Sequence, residues 1–169
     1  MESVRSFERS TRSPEETFAL GVALGVVLRA RDYVGLEGQL GAGKTLFARG
    51  VAHGAEVPLD EVTSPSYSIV QTYQGRVLLH HADLYRLRSE DELYATGYFD
   101  LLESDGAWLV EWVGQVPGAA PTDALWLTME LVGPSERRLV GRATGPSSAS
   151  LMERWLRREV DCISSPRGL

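Results

Sequence analysis

The residues Gly38-Gln39-Leu40-Gly41-Ala42-Gly43-Lys44-Thr45 carry the G-x-x-x-x-G-K-T spacing of a phosphate-binding loop. Lys44 is the sole lysine of the chain; every other residue among its 17 lysines and arginines is an arginine. Lysine is required here for a physical reason. Its ammonium is a compact charge on a thin stem that reaches between two phosphates, where a guanidinium is a wide planar fork. Gly38, Gly41 and Gly43 let the backbone turn tightly and aim N–H groups at oxygens with no Cβ in the way. The helix that follows adds the positive end of its dipole, and the Thr45 hydroxyl is available to Mg²⁺.

A loop that binds Mg–nucleotide also needs a carboxylate at the end of a neighbouring strand. Glu111 ends the apolar run AWLV and reads as the metal-side acid. Asp83 ends VLLHHA and reads as the group that positions an attacking water. His81 lies two residues from Asp83, so on a strand the two share a face, where the imidazole either orients that carboxylate or packs as an ordinary core residue. The segment VTSPSYS (62–68) places Thr63, Ser64, Ser66 and Ser68 where nucleotide switches carry a hydroxyl-bearing loop that senses γ-phosphate. His53, His80 and His81 lack the partner spacing of a zinc site. The chain has no N-K-x-D guanine-reading sequence, so ATP is expected by elimination.

These groups need strands and helices to hold them. SPEETFALGVALGVVLRA predicts a helix, capped by Ser13 with Pro14 in its first turn and Glu16 completing a capping box. DYVGLEG (32–38) predicts a buried strand running into the loop, and KTLFARGVAHGA the helix that leaves it. SYSIVQTY and RVLLHHADLY predict a hairpin turning at Gln74-Gly75. SEDELYATG predicts a helix capped by Ser89 and stopped at Gly97, AWLVEW (107–112) another buried strand, and DALWLTMEL with ERRLVGRAT a late antiparallel pair. GRATGPSSAS (141–150) reads as a loop before a short helix at 150–160. The fold class is therefore α/β: one P-loop NTPase-like domain with a mixed parallel and antiparallel sheet flanked by helices. Residues 1–145 are expected to form the ATPase domain and 146–169 a helical extension of it.

Composition sets the outer limits. The 169 residues suit one domain, the polar N-terminus gives no expectation of export, and a single cysteine suits a reducing cytoplasm. No apolar run approaches the roughly 20 residues of a membrane span. With a formal net charge of −6, extensive direct binding to nucleic acid is not expected.

Taken in order, LEGQLGAGKT, VTSPSYSIVQTY, HHADLYRL, the helix ending at Gly97 and LVEW resemble the TsaE (YjeE) family of bacterial ATPases in tRNA threonylcarbamoyladenosine biosynthesis. The resemblance implies ATP and Mg²⁺ as cofactors and weak intrinsic hydrolysis. It also implies work with TsaD and TsaB, which transfer a threonylcarbamoyl group to the adenosine beside the anticodon; tRNA is reached through them. By the same resemblance Thr45 and Glu111 hold the metal, and Asp83, Glu111 and Lys44 are catalytic. Nucleotide contacts are implied at Gly38, Gly41, Ala42, Gly43, Lys44, Thr45 and Leu46, at Pro14 and at Arg137, with a switch at Thr63, Ser64 and Ser66. Leu46 stands where the family usually has a second threonine, and Ser66 and Ser68 replace threonines while keeping the hydroxyls. Two other readings fit the residues: a small-molecule kinase with Arg86 and Arg88 in a lid, and a non-hydrolytic ATP-dependent switch or scaffold.

Overall fold

The computed structural model describes residues 5–63 and 68–164. Strand β1 (Arg5–Thr11) precedes helix α1 (Pro14–Val27), β2 (Tyr33–Gly38) and α2 (Lys44–Gly54). The hairpin β3 (Val70–Gln74) and β4 (Leu78–Asp83) leads to short helices α3 (Glu90–Ala95) and α4 (Tyr98–Leu102) and then to β5 (Ala107–Glu111). A 3-10 turn at Val113–Gln115 follows, then β6 (Leu125–Leu131), β7 (Arg137–Ala143) and α5 (Pro146–Ser164). The strands form one sheet in the order β1-β7-β6-β2-β5-β4-β3. Strands β6, β2, β5 and β4 run parallel, while β7, β1 and β3 pair antiparallel at the flanks. The mixed sheet is the one the sequence predicts.

Alternation along the central strands fills two cores. In β5, Ala107 and Leu109 face one apolar cluster with α1, α2 and α5, while Trp108 and Val110 face the other with α4. Two boundaries differ from the sequence reading. The polar N-terminal segment forms β1 because it pairs with β7 over its whole length, from Arg5↔Ala143 to Thr11↔Arg137, and Phe7 reaches Trp155 edge-on at 5.0 Å. The expected loop at 141–150 is strand to Ala143 and helix from Pro146. The Asp123 carboxylate caps that helix, accepting from the N–H groups of Ser147 (2.8 Å) and Ser148 (2.9 Å). Such a cap comes from a distant segment and leaves no local pattern. Trp155 then buries fully in the core shared with α1 and α2. Among the described residues no helix is long and apolar enough to cross a membrane.

Helices α1 and α2 lie against each other backbone to backbone through two G-x-x-x-G pairs, Gly21/Gly25 and Gly50/Gly54. A methyl group on Gly25 would sit 2.0 Å from the Val51 carbonyl oxygen, and one on Gly54 would sit 2.1 Å from that of Val22. Because residues 21 and 25 face 47–51 and 51–55 in turn, the helices are parallel, and both N-termini lie at the end of the sheet where β2 delivers the glycine loop. Gly25→Ala must push the helices apart. The expected cost is about 3 kcal/mol, roughly 6–12 °C in Tm. A thermal melt superimposable on the wild type would contradict this account of the packing.

Candidate functional site

The glycine loop joins β2 to α2, and the way α2 begins sets it apart from its neighbours. Helices α1 and α3 have serine caps, Ser13 and Ser89, and two and three acidic residues in their first turns. Helix α2 has neither; its N-cap is Gly43 at φ 99, and no side chain bonds its first turn. Its first N–H groups have no preceding turn to bond to, so its positive end stays open to an anion. Gly41 is also left-handed (φ 82), and a Cβ there would point into open space. Successive N–H groups in such a turn form an anion-binding nest.

Lys44 and Thr45 open α2 at this mouth. The Lys44 ammonium donates to the carbonyl oxygens of Gly38 (2.5 Å) and Gln39 (2.9 Å) and lies 4.4 Å from the centre of the Trp112 ring. Burial lowers its pKa, opposed by the carboxylates of Glu111, Asp83 and Glu37. Thr45 is exposed.

Strands β4 and β5 pair Asp83 directly with Glu111. Both side chains, with Gly41, Gly43, Lys44, Thr45 and Leu46, line one cleft of about 390 Å³, and Tyr85 and Trp112 complete its wall. Glu111 is buried, and its Oε2 lies 2.8 Å from His81 Nε2, a pair with about 5% side-chain exposure on each partner. His81 is thus bound to Glu111, one step across the sheet, rather than to Asp83 on its own strand. Asp83 instead accepts from the Tyr85 N–H at 3.0 Å. Burial raises the Asp83 pKa, Glu111 adds to the rise, and the Tyr85 N–H, His81 and Lys44 pull the other way. A hydroxyl, two carboxylates and a lysine around open N–H groups make a hard-oxygen and cationic set that suits a triphosphate and Mg²⁺.

The remaining predicted residues fall around this cleft. Ala42 is buried beneath the loop, and Gly38 lies at its start beside the Met129 carbonyl. Arg137 does not line the cleft; its guanidinium donates to the carbonyl oxygens of Ala42 (2.9 Å) and Gly41 (3.3 Å), holding the loop from outside. Pro14 is exposed one turn before Thr17, whose methyl abuts Gly43. Thr63 is exposed and turned to β3, donating from its hydroxyl to Gln71 at 2.9 Å; Ser64 and Ser66 lie outside the described residues. Sequence reasoning missed Trp112 and Tyr85, whose rings lie 4.9 Å apart at the cleft wall. The available signal was a tryptophan next to the strand-end acid.

The family model described as threonylcarbamoyl adenosine biosynthesis protein TsaE matches residues 11–139. The tRNA threonylcarbamoyladenosine biosynthesis protein TsaE of Bacillus subtilis is 34% identical over 150 residues, covering 88% of this chain and 93% of that protein. The protein of the same name from Treponema pallidum is 30% identical over 129 residues, 76% of this chain and 95% of the relative. The crystal structure of Bacillus subtilis YdiB superimposes with a TM-score of 0.78 at 29% identity, covering 94% of this chain and 99% of that one. The glycine loop, the strand-end acids and the mixed sheet are thus held within the extent of these matches: the chain belongs to the TsaE family.

Proposed function

We propose that this protein binds ATP with Mg²⁺, hydrolyses it slowly when alone, and serves threonylcarbamoylation of tRNA in the cytoplasm together with TsaD and TsaB. The observation that carries the reading is the placement of Asp83 and Glu111, paired in register, across one cleft from the uncapped start of α2 with Lys44 and Thr45. The nest and the α2 N-terminus receive the phosphates, and Lys44 exchanges the carbonyls of Gly38 and Gln39 for phosphate oxygens. Asp83 orients the attacking water and accepts its proton. Glu111, fixed by His81, and the Thr45 hydroxyl are the groups that would hold Mg²⁺. When bound, that ion neutralises charge on the phosphate oxygens. Arg137 keeps the loop carbonyls turned outward, so the N–H groups face the nucleotide.

Reconstitution tests this reading. Threonylcarbamoyl transfer to an unmodified tRNA transcript by TsaD and TsaB should continue over many turnovers only when this protein and ATP are present. Phosphate release by the isolated chain should be slow and should rise when the two partners are added. Modification that proceeds equally without this protein, or phosphate appearing on a small acceptor instead of in solution, would overturn the reading.

A further inference from the structure

A concentration of positive charge lies away from the nucleotide cleft. Because α1 and α2 run parallel and antiparallel to β2, the C-terminal turn of α1 lies at the opposite end of the sheet from the glycine loop. There Arg29, Arg76, Arg154, Arg157 and Arg158 line one solvent-open concavity of about 370 Å³ with Val26, Val27 and Leu28. Such a cluster is unexpected in a chain with a formal net charge of −6.

Two of the five arginines have structural work. Arg76 donates to the carbonyl oxygens of Gly25 (2.8 Å) and Leu28 (3.0 Å), closing the end of α1, which has no basic residue in its last turn. Arg154 pairs with Asp32 at 2.7 Å and donates to the Val27 carbonyl at 3.3 Å. The other three are differently placed. Among the described residues Arg157 meets only Glu153, at 3.9 Å and itself shared with Arg5, and its side chain is 80% exposed. No hydrogen bond or ion pair to the guanidinium of Arg29 or Arg158 occurs among the described residues. Arg29 also lies close enough to Arg154 to oppose its charge. Among the described residues Asp32, beside Arg154 and Arg29, and Glu153, beside Arg157, are the acids that offset these five guanidinium groups. Like charges so gathered are relieved by an anion, and planar guanidinium forks match phosphate oxygens two at a time.

We infer that this concavity is a second phosphate-binding site, held chiefly by Arg29, Arg157 and Arg158, and that its occupant is the phosphodiester backbone of RNA. The phosphate chemistry stands on the side chains; the choice of RNA rests on the proposed function. Arg29 and Arg157, both exposed, and the half-buried Arg158 give local, salt-sensitive contact, in keeping with weak binding of tRNA by an acidic chain alone.

The test uses the full chain, a fluorescein-labelled unmodified tRNA transcript and fluorescence anisotropy at several salt concentrations. The variant Arg29→Gln/Arg157→Gln/Arg158→Gln leaves Arg76 and Arg154 to hold α1, and an unchanged thermal melt shows that it folds. Its RNA affinity should fall about tenfold or more at low salt, and the slope of log affinity against log salt should shrink by roughly two to three. Its affinity for ATP should equal the wild type's, and Lys44→Ala should keep RNA binding, so failure here is separable from failure of the ATPase reading. Equal RNA binding by wild type and triple variant, or loss of RNA binding in Lys44→Ala, would overturn the site. In the Lys44→Ala background, where the glycine loop is weakened, tripolyphosphate that binds with the three arginines present and not without them, while RNA binds neither protein, would overturn RNA in favour of a small phosphorylated ligand. A polyglutamate peptide showing that pattern, with neither RNA nor tripolyphosphate binding, would overturn phosphate altogether.

Discussion

Lys44→Ala is expected to weaken ATP binding roughly 10- to 150-fold, because a charge-assisted contact to phosphate is worth about 1.5–3 kcal/mol. Turnover should fall with it. Lys44 is the buried cation at the cleft's floor, fixed by two loop carbonyls and the Trp112 face. Lys44→Arg should not rescue binding, although it restores the charge. A guanidinium presents a planar fork where the structure provides a narrow slot between Gly38, Gln39 and the indole, and it would displace the loop whose carbonyls it met. Isothermal titration calorimetry with ATP and Mg²⁺ checks both variants. Wild-type affinity in either would remove Lys44 from the phosphate site.

Much of this site could be read from single residues because the chemistry constrains them locally. A loop that turns on glycine, ends in lysine and opens a helix is specified by adjacent residues, so the loop and α2 fall where the sequence puts them. The central strands are equally legible: β5 is an unbroken apolar run with all five residues buried, Glu111 included, which is what a strand covered on both faces requires. Edge structure is different. β1 is polar at most positions and exists because β7 offers it a complete ladder, with a partner 138 residues away at Arg5 and 126 residues away at Thr11. No apolar signal marks RSFERST, in which Thr11 alone is buried. The start of α5 is hidden for the same reason, since its cap belongs to Asp123.

Within the site, sequence spacing gives faces and not partners. His81 and Asp83 do share a face of β4, as period-2 geometry demands, but a side chain on a central strand also meets the neighbouring strand. The imidazole reaches across to Glu111, while Asp83, at the strand's last position, turns back to the N–H of Tyr85. Arg137 was legible as a residue near the nucleotide loop only through family resemblance. Its bonds to the loop carbonyls depend on β6 carrying β7 alongside β2, a relation between distant strands.

The second large effect separates the two acids. Asp83→Asn is expected to lower turnover by about 10²–10⁴-fold, the usual scale for removing a general base, with little change in how nucleotide binding depends on Mg²⁺. Glu111→Gln should also lose turnover, and it should in addition shift that Mg²⁺ dependence, because Glu111 is the acid proposed to hold the metal. The amide can still bond His81, so folding should be kept. In the nucleotide-free protein burial, with Glu111 adding to it, raises the Asp83 pKa above that of an ordinary aspartate. The same shift has a sign in stability. A carboxyl whose pKa is raised by folding favours the folded state fully below its unfolded pKa of about 3.9, and loses that contribution as pH rises through the folded value. At neutral pH the ionised Asp83 therefore costs stability, so Asp83→Asn should melt higher than wild type at pH 7, with the gap closing as pH falls toward about 4. An inactive variant that is more stable at neutral pH marks a residue kept for chemistry. Steady-state phosphate release at varied Mg²⁺, with melts across the pH range, decides the matter. Equal Mg²⁺ dependence in the two variants would show the roles misassigned, and an Asp83→Asn protein that melts lower at pH 7 would show that the carboxylate holds the fold together.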